Sequence, residues 1–269
     1  TLSVDATDPR PFELLGDLHS KEGNFAEAEE AYTHAMACTG AANGRPPASL
    51  KLILGLGNAL TETGKLADAR ATFEAGCEMC PCASTWLGGG IAMLRQGDLD
   101  AAEAALAEAN IQDHTNARVW GYLCLVALLS DRAPEAEQAI GSAFRCGLAN
   151  DEWPLLGEIG KLFLEHGRWK HAEGALRRSV KHGGGADVRY ALGRALHEQG
   201  DAAAARDQML AAVDQAAEAG DAETQRLTLE SLRAVHSELG ENEAAEAAKG
   251  RLKIMGVRTS PPPKNFRDR

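Results

Sequence analysis

Apolar residues recur along the chain at helical spacing, in runs separated by a glycine that a small or polar residue follows. The pattern repeats about every 34 residues, with two longer intervals of 41 and 40 residues. An alanine follows each turn residue by five positions. The turn residues are Gly23, Gly64, Gly97, Asp131, Gly167, Gly200 and Gly240, and the alanines are Ala28, Ala69, Ala102, Ala136, Ala172, Ala205 and Ala245. Self-similarity at this period indicates a repeat protein.

A large side chain and a small one also lie at fixed distances from each turn. Four residues after the alanine come Tyr32, Phe73, Leu106, Ile140, Leu176 and Met209, and seven residues before the turn come Gly16, Gly57, Gly90, Cys124, Gly160 and Gly193. Residues four apart share one face of a helix. Glycine ends a helix in the left-handed conformation at least cost. The sequence therefore predicts two closely packed antiparallel helices in each repeat.

The order Phe12, Leu15-Gly16, Ala28, Tyr32 and Ala35 resembles the tetratricopeptide repeat. That resemblance implies an all-α fold, a right-handed superhelical solenoid of about seven helix–turn–helix repeats with about fourteen helices. The expected helices cover residues 10–22, 25–38, 48–63, 66–79, 83–96, 99–110, 116–129, 133–146, 152–166, 169–182, 186–199, 202–218, 222–239 and 242–254.

The domain organisation follows from where this pattern is interrupted. Residues 1–256 are expected to form a single repeat domain, with a glycine- and proline-rich loop insertion at 39–48. Two lengthened helices are expected to meet at Gly220. Residues 257–269 contain three successive prolines and predict an extended tail. The expected helix starts are the Asp8-Pro9 pair and the capping residues Asn24, Asp98 and Asp201.

The seventh repeat departs from the pattern at three positions. Arg233 replaces the usual glycine, Lys249 replaces the bulky residue, and His236 occupies a position that is usually bulky. Terminal repeats often carry polar substitutions that solvate the end of an array. The sequence is compatible with such an end cap and with simple divergence of this repeat.

Composition narrows the range of function classes. The net charge is −11 and no basic tract is present, which disfavours binding to nucleic acid or to an anionic membrane. No apolar run reaches the length of a membrane span, and no signal peptide is visible. Because the chain starts at Thr1 rather than Met, we expect a fragment of a longer protein.

Six cysteines are present without framework-like spacing, so reduced thiols are the simplest interpretation. Cys77, Cys80 and Cys82 lie close together, but a zinc site usually needs a second such pair. We expect packing at a helix end there, with reversible oxidation as the alternative.

No motif supports catalysis or the binding of a cofactor or metal. His166 and His171 lack the spacing of metal ligands. The glycine runs 88–90 and 183–185 lack the strand and the Lys-Ser/Thr pair of a phosphate loop. The run 88–90 is expected to allow close helix packing, with a deformable joint as the alternative. The sequence thus predicts no enzyme, no metal, no cofactor and no small-molecule substrate.

In tetratricopeptide folds the first helix of each repeat lines the concave side, which implies a partner-binding groove here. The apolar middle of this groove with basic margins is typical of a site for the amphipathic helix of a partner or for this chain's own terminal segment. Its expected residues are Leu54, Asn58, Leu87, Ile91, Leu94, Arg95, Arg118, Leu125, Leu128, Leu129, Lys161, Tyr190 and Arg194. The alternative is that some of these leucines belong to the core between helices.

A clamp for terminal carboxylates, found in chaperone-binding relatives, is incomplete in this chain. Asn58 and Arg118 fall at clamp-like positions, while Leu54, Gly88 and Tyr122 occupy the others. Binding to a heat-shock protein is therefore not predicted.

The middle repeats, over roughly residues 83–160, resemble the C-terminal repeats of the cilia- and flagella-associated protein 70 family. The segments that carry this resemblance are Thr85–Ala92, Ala102–Asn110, Asn116–Leu123, Glu135–Ala139 and Leu155–Ile159. The resemblance implies a non-catalytic scaffold of the motile-cilium axoneme, in the central apparatus or near the outer dynein arms. The implied partners are other axonemal proteins, with no nucleic acid and no membrane. The family carries no catalytic residue to transfer.

Two rival functions stay open from the sequence. One is a soluble tetratricopeptide adaptor or co-chaperone-like protein outside cilia, and the other is the regulatory domain of an enzyme. The tail is locally basic through Arg258, Lys264, Arg267 and Arg269. It is either a solvated end or a contact for an acidic surface.

Overall fold

The computed structural model describes residues 8–39, 48–148 and 152–256. These residues form fourteen α-helices, which confirms the all-α tetratricopeptide fold. The first eight are α1 Arg10–Lys21, α2 Phe25–Ala37, α3 Leu50–Glu62, α4 Leu66–Met79, α5 Ala83–Arg95, α6 Leu99–Gln112, α7 Ala117–Leu129 and α8 Ala133–Arg145. The last six are α9 Trp153–Glu165, α10 Trp169–Lys181, α11 Ala186–Glu198, α12 Ala202–Ala219, α13 Ala222–Glu238 and α14 Asn242–Ile254.

The chain forms two compact units, residues 1–126 and 127–269. Successive helices pack against each other from α1 to α6 in the first unit and from α9 to α14 in the second, both inside a repeat and between neighbouring repeats. The single domain expected over residues 1–256 stays a prediction. The tail at 257–269 and most of the insertion at 39–48 lie outside the described residues.

The turn between the two helices of each repeat has the predicted conformation. The six predicted turn glycines have φ angles between 68° and 89°. Asp131, which replaces glycine in the fourth repeat, also adopts the left-handed conformation, with φ of 58°. Aspartate is one of the few residues that tolerate this region. Lengthened helices α12 and α13 meet at Gly220, as expected.

In five repeats the core is built on contact between the glycine of the first helix and the large side chain of the second. All seven alanines and all six large residues are buried. A Cβ atom added at Gly16, Gly57 or Gly160 would lie 2.5 Å from the nearest atom of Tyr32, Phe73 or Leu176, respectively. At Gly90 and Gly193 the corresponding distances to Leu106 and Met209 are 2.8 and 2.7 Å. Any other residue at these glycines would therefore push the helix pair apart.

The aromatic residues of the first two repeats also contact the following repeat. The Tyr32 ring lies between Gly16 of α1 and Gly55 of α3, and a Cβ at either glycine would overlap it. Phe73 lies in the same way between Gly57 of α3 and Gly88 of α5. One ring thus joins three helices.

The glycine run 88–90 has a packing explanation at two of its three positions. Gly88 faces Phe73 and Gly90 faces Leu106, where a Cβ has no room. A Cβ at Gly89 would meet only the Cβ of Phe73 at 3.5 Å, an ordinary contact. Gly88 and Gly90 are therefore needed for packing, while Gly89 is not.

Helix capping agrees with the sequence at two predicted sites and differs at one. The side chains of Asp98 and Asp201 accept hydrogen bonds from Ala101 N at 3.2 Å and Ala204 N at 3.0 Å. Asn24 lies at the predicted N-cap position of α2, but its side chain makes no capping bond and its amide donates to Glu22 instead. Asp8 accepts from Arg10 N at 3.0 Å. The caps at Ser49 and Asp221 were not predicted from the sequence.

The seventh repeat replaces the glycine contact with polar ones. His236 is buried, and its Nδ1 lies 2.5 Å from a Glu241 carboxylate oxygen. That hydrogen bond is the main cause of the lowered pKa of Glu241. Lys249 pairs with Glu246 in the same helix. The apolar core continues here through Leu229, Leu232, Val235, Ala248 and Leu252.

Alanine substitution should change stability in opposite directions at Gly89, where a Cβ has room, and at Gly90, where it does not. We expect Gly89→Ala to stabilise the protein by up to about 1 kcal/mol, because alanine is the better helix former. Gly90→Ala should destabilise it by about 1–3 kcal/mol, because the new Cβ meets Leu106. Thermal unfolding followed by circular dichroism measures both. Equal shifts in the two variants would contradict this packing account.

Candidate partner-binding surface

Three of the residues expected in the groove belong to the core. Leu87, Leu125 and Leu128 have exposed fractions of 5%, 2% and 1%. Leu87 packs within a cluster that includes Met93, Leu106 and Val119. These three leucines therefore offer no surface to a partner. They belong to the core between helices, which was the alternative interpretation of the sequence.

In the first unit, the remaining apolar candidates form a half-buried surface on the first helices. Leu54 packs against the core cluster of α2 and α3, while Ile91 and Leu94 pack against that of α5 and α6. Asn58 is exposed. The surface therefore combines partly covered leucine and isoleucine side chains with an amide group.

Arg95 connects two successive repeats. Its guanidinium donates to Thr61 O at 3.0 Å and to the Glu62 carboxylate at 2.8 Å, both at the end of α3. Cationic groups stabilise the carboxyl end of a helix, where carbonyl groups lack partners. Arg95 is thus exposed and also holds the end of α3. Arg118 is exposed at the start of α7, and its backbone N–H donates to Asn116.

In the second unit, the candidates are more polar. Leu129 is 43% exposed. The Lys161 ammonium of α9 forms an ion pair with Asp187 at the start of α11. Tyr190 Oη lies 3.1 Å from Ser231 Oγ, and the Arg194 guanidinium lies 5.9 Å from the centre of the Tyr190 ring.

A shallow depression adjoins Arg194. His197, Glu198, Met209 and Ser231 line the rest of it. Its enclosed space is far smaller than the roughly 300–1,000 Å³ of small-molecule pockets, so it offers only a shallow contact.

The residues that pair with the candidates were not predicted from the sequence. Glu62, Asp187 and Ser231 lie 26 to 41 positions from the side chains that they contact. Those intervals are close to the length of one repeat. Searching the sequence for complementary polar residues about one repeat apart would therefore have identified these pairs.

One position of the chaperone-type clamp is occupied in this chain by Gly88. It lies directly beneath the Phe73 ring, so no longer side chain fits there.

The three close cysteines differ in environment. Cys80 is exposed, whereas Cys77 and Cys82 are partly buried. Burial raises the pKa of the Cys77 thiol. Burial opposes ionisation of Cys82 too, but hydrogen bonds from the backbone and hydroxyl of Thr85 and the backbone of Ser84 lower its pKa. Among the described residues, no group of three histidine, cysteine or acidic side chains is arranged to hold a metal ion.

Comparison with known proteins identifies the family. The sequence model for the C-terminal domain of cilia and flagella-associated protein 70 matches residues 3–228. The chain belongs to this family. Human cilia- and flagella-associated protein 70 is 35% identical over 159 residues, which are 59% of this chain and 14% of the human protein. The protein of the same name from Macaca fascicularis is 40% identical over 111 residues, covering 41% of this chain and 11% of that protein.

Solved structures share the fold at low sequence identity. The C-terminal part of a tetratricopeptide repeat protein from Cytophaga hutchinsonii has a TM-score of 0.60 and 15% identity, covering 95% of this chain and 97% of that one. A tetratricopeptide repeat protein from Parabacteroides merdae has a TM-score of 0.56 and 13% identity, covering 93% and 94%. At this identity the likeness concerns the fold alone.

Membership of the cilia- and flagella-associated protein 70 family places the chain among tetratricopeptide proteins associated with cilia and flagella. The repeat fold typically mediates protein–protein binding without catalysis, and no catalytic family is indicated. In the described part of the chain, no helix is long and apolar enough to cross a bilayer.

The thiol environments predict an order of reactivity. At pH 7.5 we expect iodoacetamide to modify Cys82 faster than Cys77, because the thiolate is the reactive form and its fraction rises as the pKa falls. Thr85→Ala should slow the modification of Cys82, because it removes a hydrogen bond to the thiolate. Fragmentation mass spectrometry over a time course locates the modification. Equal rates at Cys77 and Cys82 would disprove the assignment.

Proposed function

We propose that this chain is a non-catalytic protein–protein interaction scaffold of the motile-cilium axoneme, contributing to ciliary assembly or motility. It would act in the central apparatus or near the outer dynein arms, and its partners would be axonemal proteins. The observation that carries the proposal is the match of the family model over residues 3–228. The segment corresponds to a small part of the curated relatives' length, so the role proposed is that of one binding region.

The geometry supports this role through the first helices of the repeats. In the first unit Leu54, Ile91 and Leu94 present partly buried apolar side chains beside exposed Asn58. Partly covered apolar groups beside polar ones are typical of grooves that receive an amphipathic helix. In the second unit Tyr190 and Arg194 offer a ring and a guanidinium, residue types enriched in binding hot spots.

Amine crosslinking in isolated axonemes tests the proposal. Lys51 of α3 and Lys161 of α9 are on first helices, with side chains 62% and 40% exposed. We expect both to crosslink to central-apparatus or dynein-arm proteins, and the identity of the protein separates those two locations. Lys249, on the second helix α14 and 46% exposed, is the matched control for reactivity.

The outcomes of this experiment are distinct. Crosslinks from Lys51 and Lys161 to axonemal proteins, in excess of those from Lys249, would support a scaffold that binds through its first helices. Crosslinks only to chaperones or other soluble factors would favour an adaptor outside cilia and contradict the proposal.

A further inference from the structure

Helix α10 is basic in an acidic protein. It carries four lysine and arginine residues against one glutamate, whereas α2, α4, α6 and α12, which are also second helices of their repeats, each carry more acidic than basic residues. Four exposed basic residues lie on one side of the helix, because they are separated by steps of seven, one and three residues, namely Lys170, Arg177, Arg178 and Lys181. The equivalent positions of α4 are Ala67, Glu74, Ala75 and Glu78.

The neighbouring helix α8 extends this basic face. The Arg178 guanidinium lies 3.9 Å from the centre of the Phe144 ring, so α8 and α10 are side by side at this point. Arg145, the next residue after Phe144, is exposed, and its guanidinium donates to Ser142 Oγ at 2.9 Å. The α10 face is defined here as Lys170, Arg177, Arg178 and Lys181 with Arg145.

The acidic groups nearest to this face are already engaged. Glu173 accepts hydrogen bonds from Arg177 at 2.7 Å and Gln199 at 2.8 Å. Glu137 lies 3.1 Å from Arg168 and 3.8 Å from the His171 ring. Within the described ranges, no carboxylate is within ion-pair distance of Lys170, Arg178, Lys181 or Arg145.

Arginine 178 is held in a fixed position. It donates to Gly174 O at 2.8 Å in addition to its contact with Phe144. A guanidinium fixed in this way loses little conformational freedom when it binds, and its planar array of donors matches a carboxylate. The α10 face therefore combines exposed lysines with a preorganised arginine.

We propose that the α10 face binds an acidic polypeptide segment, rich in glutamate or aspartate, of a partner protein. This inference rests on the proposed scaffold role only in assuming that the ligand is a protein. The α10 face lies on second helices, whereas the crosslinking experiment concerns first helices, so the two proposals can fail independently.

A short peptide fits the charge distribution better than an extended polyanion does. The net charge of −11 repels nucleic acid and anionic membranes at long range. Helix α12 of the same unit exposes Asp207, Asp214 and Glu218. A segment of a few residues needs only Lys170, Arg178, Lys181 and Arg145, because Arg177 of this face already pairs with Glu173.

Fluorescence anisotropy with a labelled deca-glutamate peptide tests the proposal at 50 mM NaCl. We expect the wild-type chain to bind this peptide but not a deca-glutamine peptide. Lys170→Glu with Lys181→Glu should weaken the affinity by about ten-fold or more, since two attractions become repulsions. Both residues are exposed, so circular dichroism should show an unchanged fold. Raising NaCl to 200 mM should weaken binding several-fold.

The matched control is Arg251→Glu with Lys253→Glu in α14, which changes the net charge equally at exposed positions of the same unit. This variant should retain affinity within about two-fold, because its charges lie outside the α10 face. Equal loss in the two double variants would overturn the proposal, as would absence of peptide binding by the wild type. Binding of duplex DNA or phosphatidylserine vesicles without binding of deca-glutamate would overturn it too.

Discussion

The contact between a glycine and the large side chain sixteen residues later is the constraint on which the rest of the structure depends. It occurs in five described helix pairs, from Gly16 and Tyr32 to Gly193 and Met209. Because the glycine has no side chain, the two helices approach closely enough for the ring or branched chain to fill the space between them. The buried alanine on the second helix allows the same approach from the other side. Close packing of each pair fixes which faces remain outside.

Those outer faces are where the repeats differ. The first helices carry apolar residues in one unit and Tyr190, Arg194 and ion-paired Lys161 in the other. Most second helices carry more acidic than basic residues, whereas α10 carries four basic residues and one glutamate. Stability in repeat arrays comes from contacts within and between neighbouring repeats, which leaves the exposed positions free to vary with the partner. The two proposals about binding concern such positions.

Features that recur at a fixed spacing were predicted correctly from the sequence. Features that depend on which way a single side chain faces were predicted less well. Helix positions, left-handed turns and the buried alanines follow from residue type at fixed spacing, and even Asp131 was placed in a turn by its register. The facing of Leu87, Leu125 and Leu128 was wrong, because a rotation of about 100° per residue makes an error of one position move a side chain from surface to core. Cap formation at Asn24 depends on side-chain rotation, which spacing does not encode. Pairs such as Arg95 with Glu62 require knowledge of how successive repeats align.

A double-mutant cycle on Gly57 and Phe73 tests the packing constraint most directly. The Cβ of Gly57→Ala would meet the ε and ζ carbons of the Phe73 ring, and Phe73→Leu removes those atoms. We expect the double variant to be about 1–3 kcal/mol more stable in denaturant unfolding than the sum of the two single effects would give. Gly89→Ala with Phe73→Leu is the control and should be additive, because Gly89 faces only the Phe73 Cβ, which leucine retains. Additivity of the Gly57 and Phe73 substitutions would contradict the account.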